Sequence, residues 1–261
     1  MITSSSNSQM KNIVQLNKKS RERRRQDVFL VEGVKMFREV PKDRLLQVYV
    51  SESFYKEEKH QKLLEGCPWE LVSDSVFQAV SDTKTPQGVI CMVKQFHYSL
   101  EDLISPAKGE APLCMALENL QDPGNLGTIL RTAEGAGVSG VLLSRESVDL
   151  YNPKVIRSTM GSIYRMPFFY SQDLREDLKK WKSRGICLYA AHLKGSRPYD
   201  EADYRQPAAF LIGNESQGLT EETADLADCR IRIPMEGQVE SLNAAVASAV
   251  LMYEARRQRR G

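Results

Sequence analysis

The sequence predicts an α/β protein with a mainly parallel sheet in its C-terminal part, preceded by a smaller α/β domain. Three observations carry this. First, continuous apolar runs recur at Leu113–Leu117, Gly140–Leu143, Ile186–Ala191, Ala208–Ile212 and Ile231–Ile233. Strands that are apolar throughout are covered on both faces, as in parallel sheets. Second, helical patterns fall between and after these runs, at 126–136, 152–160, 172–184, 220–226 and about 242–258. Third, Gly, Asn or Pro stands just after several of the runs, where open α/β proteins place ligand loops.

The N-terminal elements follow in order. Residues 1–10 are polar and Ser-rich without an apolar stretch, so they predict a disordered tail rather than a secretory signal. Residues 11–26 read as one basic helix. Val28–Val31 reads as a buried strand, followed by Glu32 and Gly33, and 34–40 as a helix. Strands at 46–50, 70–72 and 88–93 alternate with helices at 54–65 and 76–80, giving a small α/β domain over 11–96. A polar linker is expected at 97–110, with Pro106 and Gly109, and the second domain at 111–261.

Composition removes several classes. At 41% hydrophobic and 27% charged, the 261-residue chain can build a globular core. No apolar run approaches the length of about 18 residues that a membrane span needs. Five cysteines without a C-x-x-C pair, and three scattered histidines, offer no metal-ligand spacing. They fit free thiols in a reducing cytosol. A net charge of +2 says little, but local clusters say more. Lys11, Lys18, Lys19, Arg21, Arg23, Arg24 and Arg25 crowd one segment, and Arg256, Arg257, Arg259 and Arg260 another. Such clusters can neutralise phosphates; they can equally be solvated helix faces.

Three segments hold the candidate chemistry. In Asn125-Leu126-Gly127-Thr128-Ile129-Leu130-Arg131, Asn125 is a plausible N-cap. Leu126, Ile129, Leu130 and Ala133 form the core face, with Gly127, Thr128 and Arg131 on the other side. Arg131 is then free to reach a phosphate or a ribose. In Ile212-Gly213-Asn214-Glu215-Ser216-Gln217-Gly218-Leu219, Gly213 permits close backbone approach of a ligand. Asn214 and Glu215 supply polar groups, Gly218 ends the loop, and Thr220 is the next N-cap. In Ile233-Pro234-Met235-Glu236-Gly237-Gln238-Val239-Glu240-Ser241-Leu242-Asn243, Pro234 stops a strand. Ser241 and Asn243 then place short polar side chains at a helix start. Leu242, Val246, Ala249 and Tyr253 share one face of that helix, which is crowded with small residues. Gly124-Asn125-Leu126-Gly127 lacks the G-x-G-x-x-G spacing of a dinucleotide loop, which argues against a nicotinamide enzyme.

Together, and in this order, the three segments resemble the motifs of the SpoU/TrmH family of RNA 2′-O-ribose methyltransferases, over roughly 111–256. Asn152 to Ser158 and Met160-Gly161-Ser162 resemble that family's segment between its first two motifs. Val28 to Gly33 resembles the opening of an L30e-like substrate-binding domain. The resemblance implies a deep trefoil knot, S-adenosylmethionine as cofactor, no metal, a homodimer packed through the last helix, and a cytoplasmic place of action. It implies structured RNA as substrate, ribosomal RNA ahead of tRNA. The alternative is a non-catalytic RNA-binding assembly factor. It assigns catalysis to Arg131, Asn125, Glu215, Ser241 and Asn243. It assigns the donor pocket to Ala191, His192, Leu211, Gly213, Asn214, Gly218, Ile233, Met235 and Leu242. RNA contacts would fall to Lys18, Lys19, Arg21, Arg24, Lys154 and Arg157. An arginine is a poor base, its pKa lying above about 12. Arg131 would therefore either accept a proton transiently or bind phosphate and developing oxyanion charge.

Overall fold

The computed structural model describes residues 1–106, 109–194 and 197–260. The chain divides into two compact units, Met1–Phe96 with Asp149–Tyr164, and His97–Val148 with Arg165–Gly261.

In the first unit, α1 (Ser8–Lys18) and α2 (Ser20–Gln26) precede β1 (Val28–Glu32) and α3 (Val34–Glu39). Then come β2 (Leu45–Ser51), α4 (Glu52–Tyr55), α5 (Glu58–Gln61), β3 (Trp69–Val72), α6 (Asp74–Val80) and β4 (Val89–Lys94). The strands form one sheet in the order β1-β4-β2-β3, with β2 and β3 parallel and the other pairs antiparallel. Met10, Ile13 and Leu16 line the buried side of α1 and join Leu30, Phe77 and Ile90 in the core.

Two expectations fail here. The basic stretch at 11–26 is not one helix, because Lys19 is extended, with φ −120° and ψ 109°. The buried Arg23 explains the break: its Nη1 donates to the carbonyls of Leu16 at 2.6 Å and Asn17 at 3.2 Å, which α1 leaves unpaired. The N-terminus is not a free tail either. Ile2 adds to the edge of β3 beside Val72, its amide donating to Leu71 O at 2.7 Å and its carbonyl accepting from Ser73 N at 2.9 Å.

In the second unit, β5 (Leu113–Leu117) leads to α7 (Pro123–Ala136) and β6 (Gly140–Ser144). After α8 (Pro153–Thr159) the chain continues through β7 (Phe168–Ser171), α9 (Leu174–Ser183), β8 (Cys187–Ala191) and β9 (Arg197–Pro198). It ends with β10 (Ala208–Ile212), α10 (Glu221–Ala224), β11 (Cys229–Arg232) and α11 (Ala244–Arg260). The sheet order is β7-β6-β5-β10-β8-β11-β9, and every pair is parallel. β5, β6 and β10 are buried along their whole length, as their unbroken apolar character requires. The expected linker also departs from expectation. Leu100 and Leu103 pack with Cys114, Trp181 and Leu211 in the core of this unit. Residues 107 and 108 of that stretch lie outside the described residues.

The segment Asp149–Tyr164, expected in the second domain, packs within the first unit instead. Its own side chains give the reason. Tyr151 packs its ring, tilted by 33°, on Phe29 with centroids 4.7 Å apart, and its hydroxyl bonds both the amide and the carbonyl of Phe96, at 2.7 and 3.1 Å. Val155 and Ile156 are buried. Asp149 pairs with Arg23 at 2.5 Å, where Arg23 keeps only 3% of its surface exposed. Removing one member of a buried pair strands the other charge. Asp149 is 29% exposed and Arg23 keeps its carbonyl partners, so Asp149→Ala should lower stability by about 1.5–3 kcal/mol in urea unfolding, the range of a hydrogen bond to a charged group. A loss within about 0.5 kcal/mol, the range of an ordinary surface site, would overturn this account.

Candidate active site

Because β5, β10, β8 and β11 are parallel neighbours, their carboxyl ends lie side by side on one edge of the sheet. The segments 118–122, 213–220, 192–194 and 233–243 leave from there. This is where an open parallel sheet presents ligand loops.

Two carboxylates bind the first two of these loops together reciprocally. Glu215, from the β10 loop, accepts the amides of Gln121 at 3.0 Å and Asp122 at 2.8 Å, and Asn125 Nδ2 at 3.0 Å. Glu118, from the end of β5, accepts the amide of Thr220 at 2.8 Å and its hydroxyl at 2.9 Å, and the hydroxyl of Thr223. Each acid thus satisfies donors at the start of the other loop's helix, where unpaired amides favour negative charge. Asn214 adds a third tie, donating from Nδ2 to Asn119 O at 2.8 Å, while its Oδ1 closes its own turn on Ser216 and Gln217.

Asn125 is not the N-cap of α7. Asp122 is: its Oδ1 accepts Asn125 N at 2.8 Å, and Pro123 fills the first helical position. The difference is functional. With the cap supplied by Asp122, the Asn125 side chain is released to bridge Glu215 and Asn243, whose Nδ2 donates to Asn125 Oδ1 at 2.9 Å. Asn243 in turn caps α11 through Ala245 N at 2.9 Å and Val246 N at 3.3 Å. One hydrogen-bonded line therefore joins a residue from each of the three segments.

Arg131 and Ser241 are exposed, and their side chains form no hydrogen bond or ion pair with the described residues. Leu126, Ile129, Leu130 and Ala133 are fully buried beneath, which fixes α7 while Arg131 stays outside. Ala191 ends β8, half buried. His192 follows; its Nδ1 accepts Lys194 N at 3.1 Å, so Nε2 faces Glu221 at 3.6 Å. Ile233, Met235 and Leu242 are half buried on the third loop. Among the described residues, 235–242 form no internal hydrogen bond, so a run of backbone donors and acceptors remains available beside apolar side chains. That donor set fits the adenosine part of S-adenosylmethionine.

Two of the expected pocket residues also have structural roles. Leu211 is fully buried and paired on both sides, to Ala116 and Ala190, so it supports the edge from within. Gly213 is needed for the chain itself. A Cβ there would lie 2.0 Å from Gly218 C and 2.1 Å from Leu219 N, both backbone atoms. Gly218 has φ +72° with open space around it and pairs with Asn214 through both backbone bonds, at 3.0 and 2.9 Å. A larger residue at 213 would therefore report on loop folding before ligand binding.

Lys18, Lys19, Arg21, Arg24 and Lys154 are exposed. Arg157 pairs with Asp82, and Arg25 with Glu22 at 2.8 Å. At the C-terminus, Arg256 and Arg257 pair with Glu110 and Glu254. Arg259 ties α11 to the backbone, donating to the carbonyls of Tyr204, Ala111, Pro112 and Gln206 at 2.5–3.2 Å. The sequence reading did not single out Glu118, Asn119, Gln121 and Asp122. The signal was present in Asp122-Pro123, a capping acid before a proline at the first helical position.

Comparison with known proteins shows the family. Residues 112–253 match the SpoU rRNA Methylase family and residues 7–91 the MRM3-like substrate binding domain. The chain belongs to the SpoU rRNA methylase family. It is 32% identical over 257 residues, 98% of each chain, to the 23S rRNA (guanosine(2553)-2′-O)-methyltransferase RlmP of Bacillus subtilis. The AdoMet-bound rRNA methyltransferase of Sinorhizobium meliloti superposes with a TM-score of 0.84 at 32% identity, covering 98% of this chain and 97% of that one. The SpoU methyltransferase AviRb of Streptomyces viridochromogenes, in complex with AdoMet, gives 0.86 at 26% identity, covering 98% and 99%.

Burial pushes the Glu215 carboxyl up, but the amides of Gln121 and Asp122 and the Asn125 side chain outweigh it and hold it below its ordinary value of 4.5. A carboxyl lowered in the folded state stabilises fully above the unfolded value and loses that effect as pH falls through the folded one. The thermal midpoint of the native protein should therefore exceed that of Glu215→Gln at neutral pH. The gap should close as pH drops below 4.5. A gap independent of pH between 7 and about 3 would rule out the carboxylate as its source.

Proposed function

We propose that this chain transfers the methyl group of S-adenosylmethionine to a ribose 2′-hydroxyl of structured RNA, with large-subunit ribosomal RNA as the favoured substrate. The observation that carries the reading is the line Glu215–Asn125–Asn243. It gathers all three motif segments at the carboxyl edge while Arg131, on the helix beginning there, stays uncommitted.

The donor brings a methyl group on a sulfonium centre, already electrophilic. The chain's residues supply position and charge. Backbone of 235–242 with Ile233, Met235, Leu242, Ala191 and His192 holds the donor; Gly213, Asn214 and Gly218 shape the adjoining loop. Asn125, Asn243 and Ser241 offer amide and hydroxyl groups to the ribose. Among the described residues Arg131 has no carboxylate partner to hold it, so its planar guanidinium can take the phosphate next to the target ribose or the developing oxyanion. Orientation of this kind lowers a barrier by several kcal/mol. Of the two roles for Arg131, an exposed guanidinium favours electrostatic positioning over proton transfer.

The reading extends to assembly. α11 buries Ala245, Ser248, Leu251, Met252 and Ala255 but leaves Val246 and Tyr253 about half exposed, at 49% and 50%. That outward apolar face supports a homodimer packed through α11. Membership of the SpoU rRNA methylase family supports the deep trefoil knot. No described helix is long and apolar enough to cross a membrane, and a cytoplasmic place of action follows from the ribosomal substrate.

Two outcomes test this. Arg131→Ala should change stability by no more than about 0.5 kcal/mol. It should slow single-turnover methylation, at saturating donor and RNA, by a factor on the order of 10². Arg131→Lys should rescue only part of the loss. A near-normal rate for Arg131→Ala would remove it from the chemistry. Separately, Val246→Glu with Tyr253→Glu should sediment as a monomer at micromolar concentration where the native protein is a dimer. A native monomer with full activity would refute the assembly.

A further inference from the structure

The turn at the end of β6 is fastened to the active-site edge from within. It runs Ser144-Arg145-Glu146-Ser147 and closes through Ser147 N, which donates to Ser144 O at 3.1 Å. Both serines are buried. Ser144 Oγ accepts the amide of Asn119 at 2.8 Å and donates to Asn119 Oδ1 at 2.9 Å. Ser147 Oγ accepts the amide of Leu120 at 3.2 Å, and Val148 N donates to Leu120 O at 2.8 Å. Gln121 Nε2 donates to Glu146 O at 2.9 Å. Residues 119–121 are the same ones that Asn214 and Glu215 tie to the β10 loop. The backbone of the turn is therefore fixed relative to the line Glu215–Asn125–Asn243. On this held turn the Arg145 side chain is exposed and forms no hydrogen bond or ion pair with the described residues, the neighbouring Glu146 carboxylate included. The sheet order puts β6 on one side of β5, and β10, β8 and β11, whose loops serve the donor, on the other. Neighbouring strands lie about 4.8 Å apart, so Arg145 starts about one strand spacing from the segment that leads to Asn125.

We propose that Arg145 binds a backbone phosphate of the RNA strand flanking the target nucleotide, on the side of the site away from the methyl donor. This assignment rests on the reading of an RNA substrate. Contacts to one ribose hold a nucleotide but leave the strand free to swing about it. A second contact, displaced along the strand, fixes its direction across the edge. Phosphate contacts do this without reading sequence. Arg145 is suited to the task on three counts. Its backbone is anchored to the residues that position Asn125, so the two contacts keep a constant separation. A cation on a rigid turn loses little freedom on binding. The nearby acids Glu118, Asp122 and Glu215 are taken by amides and hydroxyls, so they do not capture it. Arg131 then meets the charge at the ribose, and Arg145 the charge beside it.

The full-length protein and its Arg145→Ala and Arg145→Lys variants are titrated with in-vitro-transcribed 23S ribosomal RNA at several salt concentrations. Arg145→Ala should weaken binding about fivefold, the scale of one exposed charge contact, and lower the slope of log affinity against log salt by about one. Arg145→Lys should keep most of the affinity, because a phosphate also accepts a point charge. Calorimetric affinity for S-adenosylmethionine and the thermal midpoint should not move. The single-turnover rate at saturating RNA should stay within about twofold, as for a contact equal in ground and transition states. An unchanged salt slope for Arg145→Ala overturns the proposal. Weaker RNA binding accompanied by lost thermal stability or donor affinity overturns it too, since the turn would then be only a structural support. A rate at saturating RNA that falls as far as the affinity would place Arg145 in the chemistry instead. Methyl transfer by the native protein to the same RNA is read in parallel. Methylation with no change of slope for Arg145→Ala defeats Arg145 alone. No methylation by the native protein defeats the substrate reading, and the slope still decides whether Arg145 meets a phosphate.

Discussion

A single carboxylate, Glu215, sets the condition on which the site depends. It leaves the β10 loop and takes the first amides of the segment entering α7, so two chain segments 90 residues apart share one anion. Hydrogen bonds to charged groups contribute about 1.5–3 kcal/mol each, roughly twice a neutral one. Glu118 makes the reverse connection, from the end of β5 to the start of α10. The two loops cannot move independently without stranding an ionised acid or a set of helix amides. Asn125 and Asn243 inherit their positions from this frame, which is what a site needs if its polar groups are to be held before substrate arrives.

Glycine serves the same end by another route. At Gly213 the incoming strand passes so close to Gly218 and Leu219 that a methyl group would overlap their backbone. At Gly218 the requirement is a positive φ. One residue allows contact and the other the turn that brings the contact about. The loop's shape is therefore fixed by its own backbone. The third loop contrasts with it: 235–242 keep their backbone groups unpaired among the described residues, the condition a ligand would satisfy.

Much of this was legible in the sequence, for reasons that differ by element. The apolar runs at Leu113–Leu117 and Ala208–Ile212 became β5 and β10 almost to the residue, because full burial on both faces leaves no polar position to mislead. Hydrogen bonds of Asn125 to Glu215 and Asn243 join one residue from each motif segment. What could not be read were the long-range polar choices. Nothing local says that Arg23 is buried on carbonyls and Asp149, so the helix break at Lys19 and the placement of Asp149–Tyr164 were out of reach. β7 was missed because Phe168–Ser171 is short and ends in polar residues. The Asn125 cap was a wrong choice between two good capping residues three positions apart, and Pro123 was the discriminating signal.

Charge accounting shows why a net value of +2 is a poor guide to what this protein recognises. Lys and Arg number 36 against 34 acids, yet many of the cations are already committed. Arg23 and Arg259 are buried on backbone carbonyls, and Arg230 joins Glu221 and Asp225. An arginine spent in this way cannot release counterions from a nucleic acid. Arg131 stands on α7, whose apolar face is completely buried and whose first turn is fixed by Asp122 and Glu215, yet its own guanidinium is bound to nothing among the described residues. Rigid backbone beneath an uncommitted charge minimises the ordering cost of binding an anion there. Glu118 and Glu215 are held by loop amides and hydroxyls, and on the proposed reading this cation is left to the substrate.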